Sequence, residues 1–215
     1  MNAITMTLIF CLFLVFFVFL IMKKFLLNNL VTAINKKDYE LVVTAANTPL
    51  SRQVLGDYIC DLYKIKAYYY SKDVEQFDKM LEHMINFEYK DPENHRNFIE
   101  LYYHMFILKK NRKYADILLK EIYATNDENF IKYNQQAYEV MINGRNDLIA
   151  EMDEEINSKK FYGFSLGVIL YMIAIQYLNL GDNKNALTYF ETSIVCFSPN
   201  EKYVELAKQY INQLA

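Results

Sequence analysis

Three histidines, three cysteines and a run of carboxylates are the side chains in this 215-residue chain best suited to carry chemistry. His83, His95 and His104 share no metal-ligand spacing. Glu100 and His104 stand one helical turn apart, which would let a carboxylate orient an imidazole for acid–base work. The same spacing more simply gives an ordinary i, i+4 contact. Tyr68 and Lys72 have the Tyr-x3-Lys spacing of a reductase proton donor, but no Gly-rich nucleotide turn or alternating strands accompany them. The run Glu151-Met152-Asp153-Glu154-Glu155 reads as a solvated face. There is no H-E-x-x-H, no G-x-S-x-G and no P-loop, and five glycines leave little material for a phosphate cradle. Cys11, Cys60 and Cys196 lie far apart without a C-x-x-C, which points to a reduced compartment and no zinc site. These patterns disfavour an enzyme and imply no cofactor.

Charged residues make up 23% and apolar residues 53% of the chain, the balance of a folded protein with a real core. A net charge of −3 and an acidic isoelectric point exert no bulk pull toward nucleic acid.

Ile4 to Met22 contains 19 residues without a charge. A helix of that length spans roughly 28 Å, close to the ~30 Å hydrocarbon core of a bilayer. A cleaved signal peptide would need a basic start and a small-residue cleavage site, and the first residues carry no Lys or Arg. Residues 1–24 are therefore expected to be an uncleaved transmembrane anchor and residues 25–215 a separate folded domain. Lys23, Lys24, Lys36 and Lys37 follow the span and no basic residue precedes it. The positive-inside rule places the N-terminus outside and the domain in the cytoplasm, as a single-pass protein of the cell membrane.

The stretch from Leu170 to Pro199 sets the pattern for that domain. Leu170, Ile173, Ala174 and Tyr177 share one helical face, Gly181-Asp182 breaks it, and Ala186 and Phe190 restart it. Glycine supplies the left-handed backbone that ends a helix, and aspartate caps the next. Carried backward, the Tyr177 position becomes Met141, Phe106, Tyr68 and Ala33, in steps of 35 to 38 residues. The equivalent of Ala174 is Leu30, Ile65, Tyr103 and Tyr138; that of Ala186 is Val42, Phe77, Ala115 and Ala150; that of Phe190 is Ala46, Leu81, Leu119 and Glu154. Only Glu154 breaks the apolar set. The turns read Lys37-Asp38, Lys72-Asp73, Lys110-Asn111, Arg145-Asn146 and Gly181-Asp182. Each offers an Asx cap to the following helix, and four place a cation at the negative end of the preceding one.

This spacing resembles the tetratricopeptide repeat (TPR), with Tyr177, Ala186, Phe190 and Pro199 at its Tyr, Ala, Phe and Pro positions. Leu170 replaces the usual aromatic, Ile173 and Ala174 replace Leu-Gly, and only the last unit keeps the turn glycine. The resemblance implies an all-α fold: a right-handed α-solenoid of about five TPR-like hairpins, preceded by one transmembrane helix. Asn200 to Ala215 would close the array as a half-polar capping helix. Asp91-Pro92 is expected to interrupt the pattern with a loop over Glu88 to Arg96. Phe161 to Leu180, twenty residues without a charge and with Gly163-x-x-x-Gly167, fits either a doubly buried repeat helix or a second membrane span. A period near 35 also fits pentatricopeptide RNA binders, which the acidic isoelectric point disfavours, and Sel1-like repeats would hold more Ala and Gly.

Such repeats present a groove to other proteins, lined by the first helix of each pair. Carried over, the lining is Lys66, Asn97, Glu100, His104, Lys132, Gln135, Glu139 and Tyr171, a mixed polar row suited to a polar or charged segment. The implied function is a membrane-anchored adaptor, scaffold or assembly factor that binds a protein or peptide partner at the inner face of a bacterial-type membrane. The alternatives are a peptide-sensing receptor and a membrane-bound enzyme using Glu100 and His104.

Overall fold

The computed structural model describes residues 3–199 and 201–214. Met1, Asn2, Asn200 and Ala215, the outer ends of the expected anchor and closing helix, lie outside the described residues. Among the described residues there are twelve α-helices and no strand. They are α1 (Ala3–Asn35), α2 (Tyr39–Asn47), α3 (Pro49–Leu55), α4 (Asp57–Ser71), α5 (Val74–Asn86) and α6 (Pro92–Leu108), then α7 (Arg112–Ala124), α8 (Glu128–Met141), α9 (Ile149–Asn157), α10 (Gly163–Asn179), α11 (Asn183–Ile194) and α12 (Lys202–Leu214). The chain divides into two compact units, one ending at Phe98 and the other beginning at Ile99, with the division inside α6.

In the first unit, α1 runs unbroken for 33 residues. It is long and apolar enough to cross a membrane, and every side chain from Phe10 to Ile21 is exposed. Its C-terminal end behaves differently. Leu30 and Ala33 are buried in a core with Val42, Ala46, Leu55, Cys60 and Ala67. One helix thus serves as a bare apolar rod and then as the first wall of a packed unit. The short α3 between α2 and α4 is an addition that the repeat spacing did not anticipate. Thr48 starts it, its hydroxyl oxygen accepting from the Ser51 amide at 3.2 Å.

Four of the five expected turns share one geometry. Lys37, Lys72, Lys110 and Gly181 all have left-handed backbone, with φ between 54° and 80°. In each, the next residue's amide returns to the carbonyl of the repeat anchor: Asp38 to Ala33, Asp73 to Tyr68, Asn111 to Phe106 and Asp182 to Tyr177, all at 2.9–3.1 Å. This is the Schellman closure of a helix. The same Asp or Asn then caps the following helix, accepting from the amide three residues on at 3.1–3.4 Å. One dipeptide therefore satisfies orphan carbonyls behind it and an orphan amide ahead of it.

The fourth turn departs from expectation. Gly144, not Arg145, has positive φ, and Arg145 is engaged by Asp147 at 2.8 and 2.9 Å. Asn146 caps nothing, because its side-chain oxygen accepts from Asn179 at 2.9 Å. The helix starts later, so Leu148 and Met152 are buried, whereas the expected Ala150 and Glu154 are exposed. The loop before α6 is also shorter than expected. α6 begins at Pro92, whose ring presets helical φ and whose missing N–H costs nothing in the first turn.

In the second unit, α10 packs on α8, α9, α11 and α12. Gly167 to Gln176 are all buried, so the uncharged stretch in α10 is an interior helix of this unit. Gly167 is needed for that packing, since a Cβ there would lie 2.7 Å from the Phe197 ring. In α12, Tyr203, Val204 and Ala207 are buried, while Tyr210, Ile211 and Leu214 are only partly covered.

Candidate functional site

The residues expected to line a groove fall into four groups. Lys66 on α4 and Asn97 on α6 are exposed in the first unit. In the second unit, Lys132, Gln135 and Glu139 follow one stripe of α8 at i, i+3, i+7 spacing, with Lys132 and Gln135 exposed and Glu139 half-buried. Glu100, half-buried on α6, accepts a hydrogen bond from the Tyr133 hydroxyl.

The remaining two do not line any open surface. His104 is 3% exposed and Tyr171 1% exposed. Tyr171 sits edge-on to Phe190 and Tyr203, with ring centroids 5.3 and 4.9 Å away. Both stand on the apolar face of their helices, and that face is covered in this unit. Spacing measured from the repeat anchor could not distinguish the covered side from the open one.

His104 is the polar centre of the second unit. Its Nδ1 lies 2.7 Å from the Tyr203 hydroxyl, and the rings of Tyr103, Tyr133, Phe164 and Tyr203 surround it. Its Nε2 has no hydrogen-bond partner among the described residues. Burial disfavours the imidazolium and pushes the pKa from 6.5 down to about 3. The same burial raises the Tyr203 phenol well above its ordinary value. An enclosed, neutral imidazole is suited to holding the core and poorly placed to meet a substrate.

Lys132 has a second role. Its Nζ lies 2.6 Å from Glu155 and 3.5 Å from Glu151. Gln136, one residue beyond Gln135 on α8, donates to Glu155 at 2.7 Å. Glu155 is therefore buried and paired, which corrects its reading as part of a solvated face. Asp153 is also engaged, by the Tyr189 hydroxyl at 2.9 Å. The hydrogen bond and charge of Glu155 hold the Lys132 ammonium above its ordinary pKa. On the open stripe, Gln135 is exposed, while Glu139 accepts from Asn143 at 3.0 Å.

The first unit contains a cluster that spacing alone did not reveal. Asp61 is fully buried on α4. One of its oxygens takes the Arg52 guanidinium at 2.7 Å, and the other takes His83 Nε2 and the Tyr89 hydroxyl, each at 3.2 Å. Arg52 also reaches Asp57 at 2.9 Å. The signal was present in sequence, because Asp61 stands four residues before the core position Ile65 and so faces the same side. Tyr68 and Lys72, the reductase-like pair, are absorbed into a turn: the Lys72 amide bonds to the Tyr68 and Tyr69 carbonyls. Among the described residues no group of three His, Cys, Asp or Glu side chains could hold a metal ion.

No protein-family model matches this chain, and neither a curated protein nor a solved structure matches it.

Proposed function

We propose that this chain is a membrane-anchored interaction module built from TPR-like helical hairpins, of the right-handed solenoid class that the resemblance to tetratricopeptide repeats implies. It acts as an adaptor, scaffold or assembly factor on the cytoplasmic side of the membrane. The observation that carries the reading is the unbroken passage of α1 from an uncovered apolar rod into a packed hairpin. The recurrence of one Schellman-and-cap turn at four of five repeat positions supports the hairpin reading.

The partner-binding stripe lies on the second unit, along Lys132, Gln135 and Glu139 of α8, with Glu100 contributing from α6. His104 and Tyr171 are omitted because they are interior. The row carries both signs of charge and suits a polar, charged segment of a protein. Gln135 is the cleanest probe, since it is exposed and is not a member of the Lys132–Glu155 pair.

The test is crosslinking and co-purification of full-length protein from native membranes, comparing wild type with Gln135→Arg and Lys132→Glu. Both variants are expected to lose the same crosslinked protein while remaining in the membrane fraction. Undiminished capture by both would remove the stripe from the binding surface.

A further inference from the structure

We infer that the α2–α3 corner of the first unit, Asn47 to Leu50, rests on the headgroup layer of the bilayer that α1 crosses. This inference builds on the proposed membrane span. The occupant of this surface is therefore the lipid of that same bilayer.

α1 continues without a break beyond Met22, so no flexible linker separates the span from the folded unit. Asn35 lies thirteen residues beyond Met22, a rise of about 20 Å. The chain then reverses at Lys36–Asp38, and α2 packs back along α1. Its nine residues return about 13 Å toward the membrane. With α2 antiparallel to α1, Asn47 ends about 6 Å above the level of Met22. A bilayer of about 40–45 Å with a core of about 30 Å leaves roughly 5–7 Å of headgroup layer on each side. The corner reaches that layer, and α3 continues against α1.

The side chains at this level suit an interface. Leu50 is 48% exposed at the corner, and Phe25, three residues beyond Met22 on α1, is 63% exposed. Lys23 and Lys24 are exposed beside it and offer ammonium groups to lipid phosphates. The Thr48 side chain at the corner is already partnered. The Thr48 hydroxyl donates to the Ala45 carbonyl at 2.9 Å and accepts from the Ser51 amide, and Pro49 has no N–H to satisfy. Such a corner can bring Leu50 into the headgroup region without leaving these donors stranded. The consequence is mechanical. Two attachments, the span and the corner, fix the tilt and rotation of the first unit on the membrane, where one span alone would leave rotation free.

The test is site-directed fluorescence of the full-length chain in phosphatidylcholine vesicles containing phosphatidylglycerol. An environment-sensitive label is placed at Phe13→Cys, Leu50→Cys or Val74→Cys, with Cys11 and Cys196 replaced and the buried Cys60 retained. Val74 is exposed at the start of α5, just past the C-terminal end of α4. A headgroup-attached quencher is expected to quench position 50 strongly and position 74 no more than background, and an acyl-chain quencher should quench position 13. Quenching at 13 with background quenching at 50 would overturn the corner contact and leave the span intact. A label at 13 that escapes the acyl-chain quencher would overturn the span, and the corner contact with it. Circular dichroism of each labelled protein confirms unchanged helix content before the comparison is made.

Discussion

The two units differ in the polar side chains they bury most deeply. The first buries a carboxylate, Asp61, and surrounds it with Arg52, His83 and Tyr89. The second buries neutral groups at its centre: His104 against Tyr203, and Gln176, whose side-chain oxygen accepts from the Leu148 amide at 2.9 Å. A buried ion pair adds little net stability when intact, because desolvation cancels much of the attraction. Removing one partner is expensive, since the other charge stays buried. A buried neutral imidazole reverses the sensitivity, tolerating its surroundings until protons are abundant enough to charge it. The centre of the first unit, at Asp61, should therefore respond to loss of a partner, and that of the second, at His104, to pH.

The largest expected effect tests the charged centre. Arg52→Met removes the main counter-ion of Asp61 and should destabilise the first unit by about 3–5 kcal/mol. Hydrogen exchange of the full-length protein reads this locally, as faster exchange in α3, α4 and α5 with α10 and α11 unchanged. Equal acceleration in both units would show that they do not unfold separately.

The next effect is the pH response of the second unit. His104 is neutral in the fold, with its pKa lowered by burial from 6.5 to about 3. Above pH 6.5 neither folded nor unfolded chain binds the proton, so the contribution is complete. Between pH 6.5 and about 3 only the unfolded chain binds it, and stability falls by up to about 1.4 kcal/mol per pH unit. His104→Gln should flatten that slope in exchange measured on α10 and α11. A slope that survives the substitution would place the pH sensitivity elsewhere.

The smallest effect probes what the units share. Lys72 holds left-handed backbone in the first unit at a position where Gly181 serves in the second. Lys72→Gly should stabilise by about 0.5–1 kcal/mol, and Gly181→Lys should cost a similar amount, as read from denaturation midpoints. Opposite signs of equal size would establish the turns as interchangeable.

Much of this architecture could be read from residue order. The Asx caps at Asp38, Asp73, Asn111 and Asp182 were legible because a cap is a local device, made between residues three apart. Leu30, Ile65, Tyr103 and Ala174 were legible as core because helical spacing puts them on one face. The fourth turn was not, because Asn146 is drawn away by Asn179, which lies in another helix. The row expected from repeat spacing divides by exposure: Lys132 and Gln135 are exposed and Glu139 half-buried, whereas His104 and Tyr171 are interior.

The sequence by itself determined the apolar rod at the N-terminus, the helical class and the position of four turns, since each depends on composition or on neighbours a few residues away. Tertiary structure alone decided which face of each helix is covered, that Asp61 and Glu155 are buried with partners, and that His104 is sealed among rings. Those outcomes depend on residues far apart in the chain meeting in space, where the cost of dehydrating a charge or an imidazole is set by whatever packs against it.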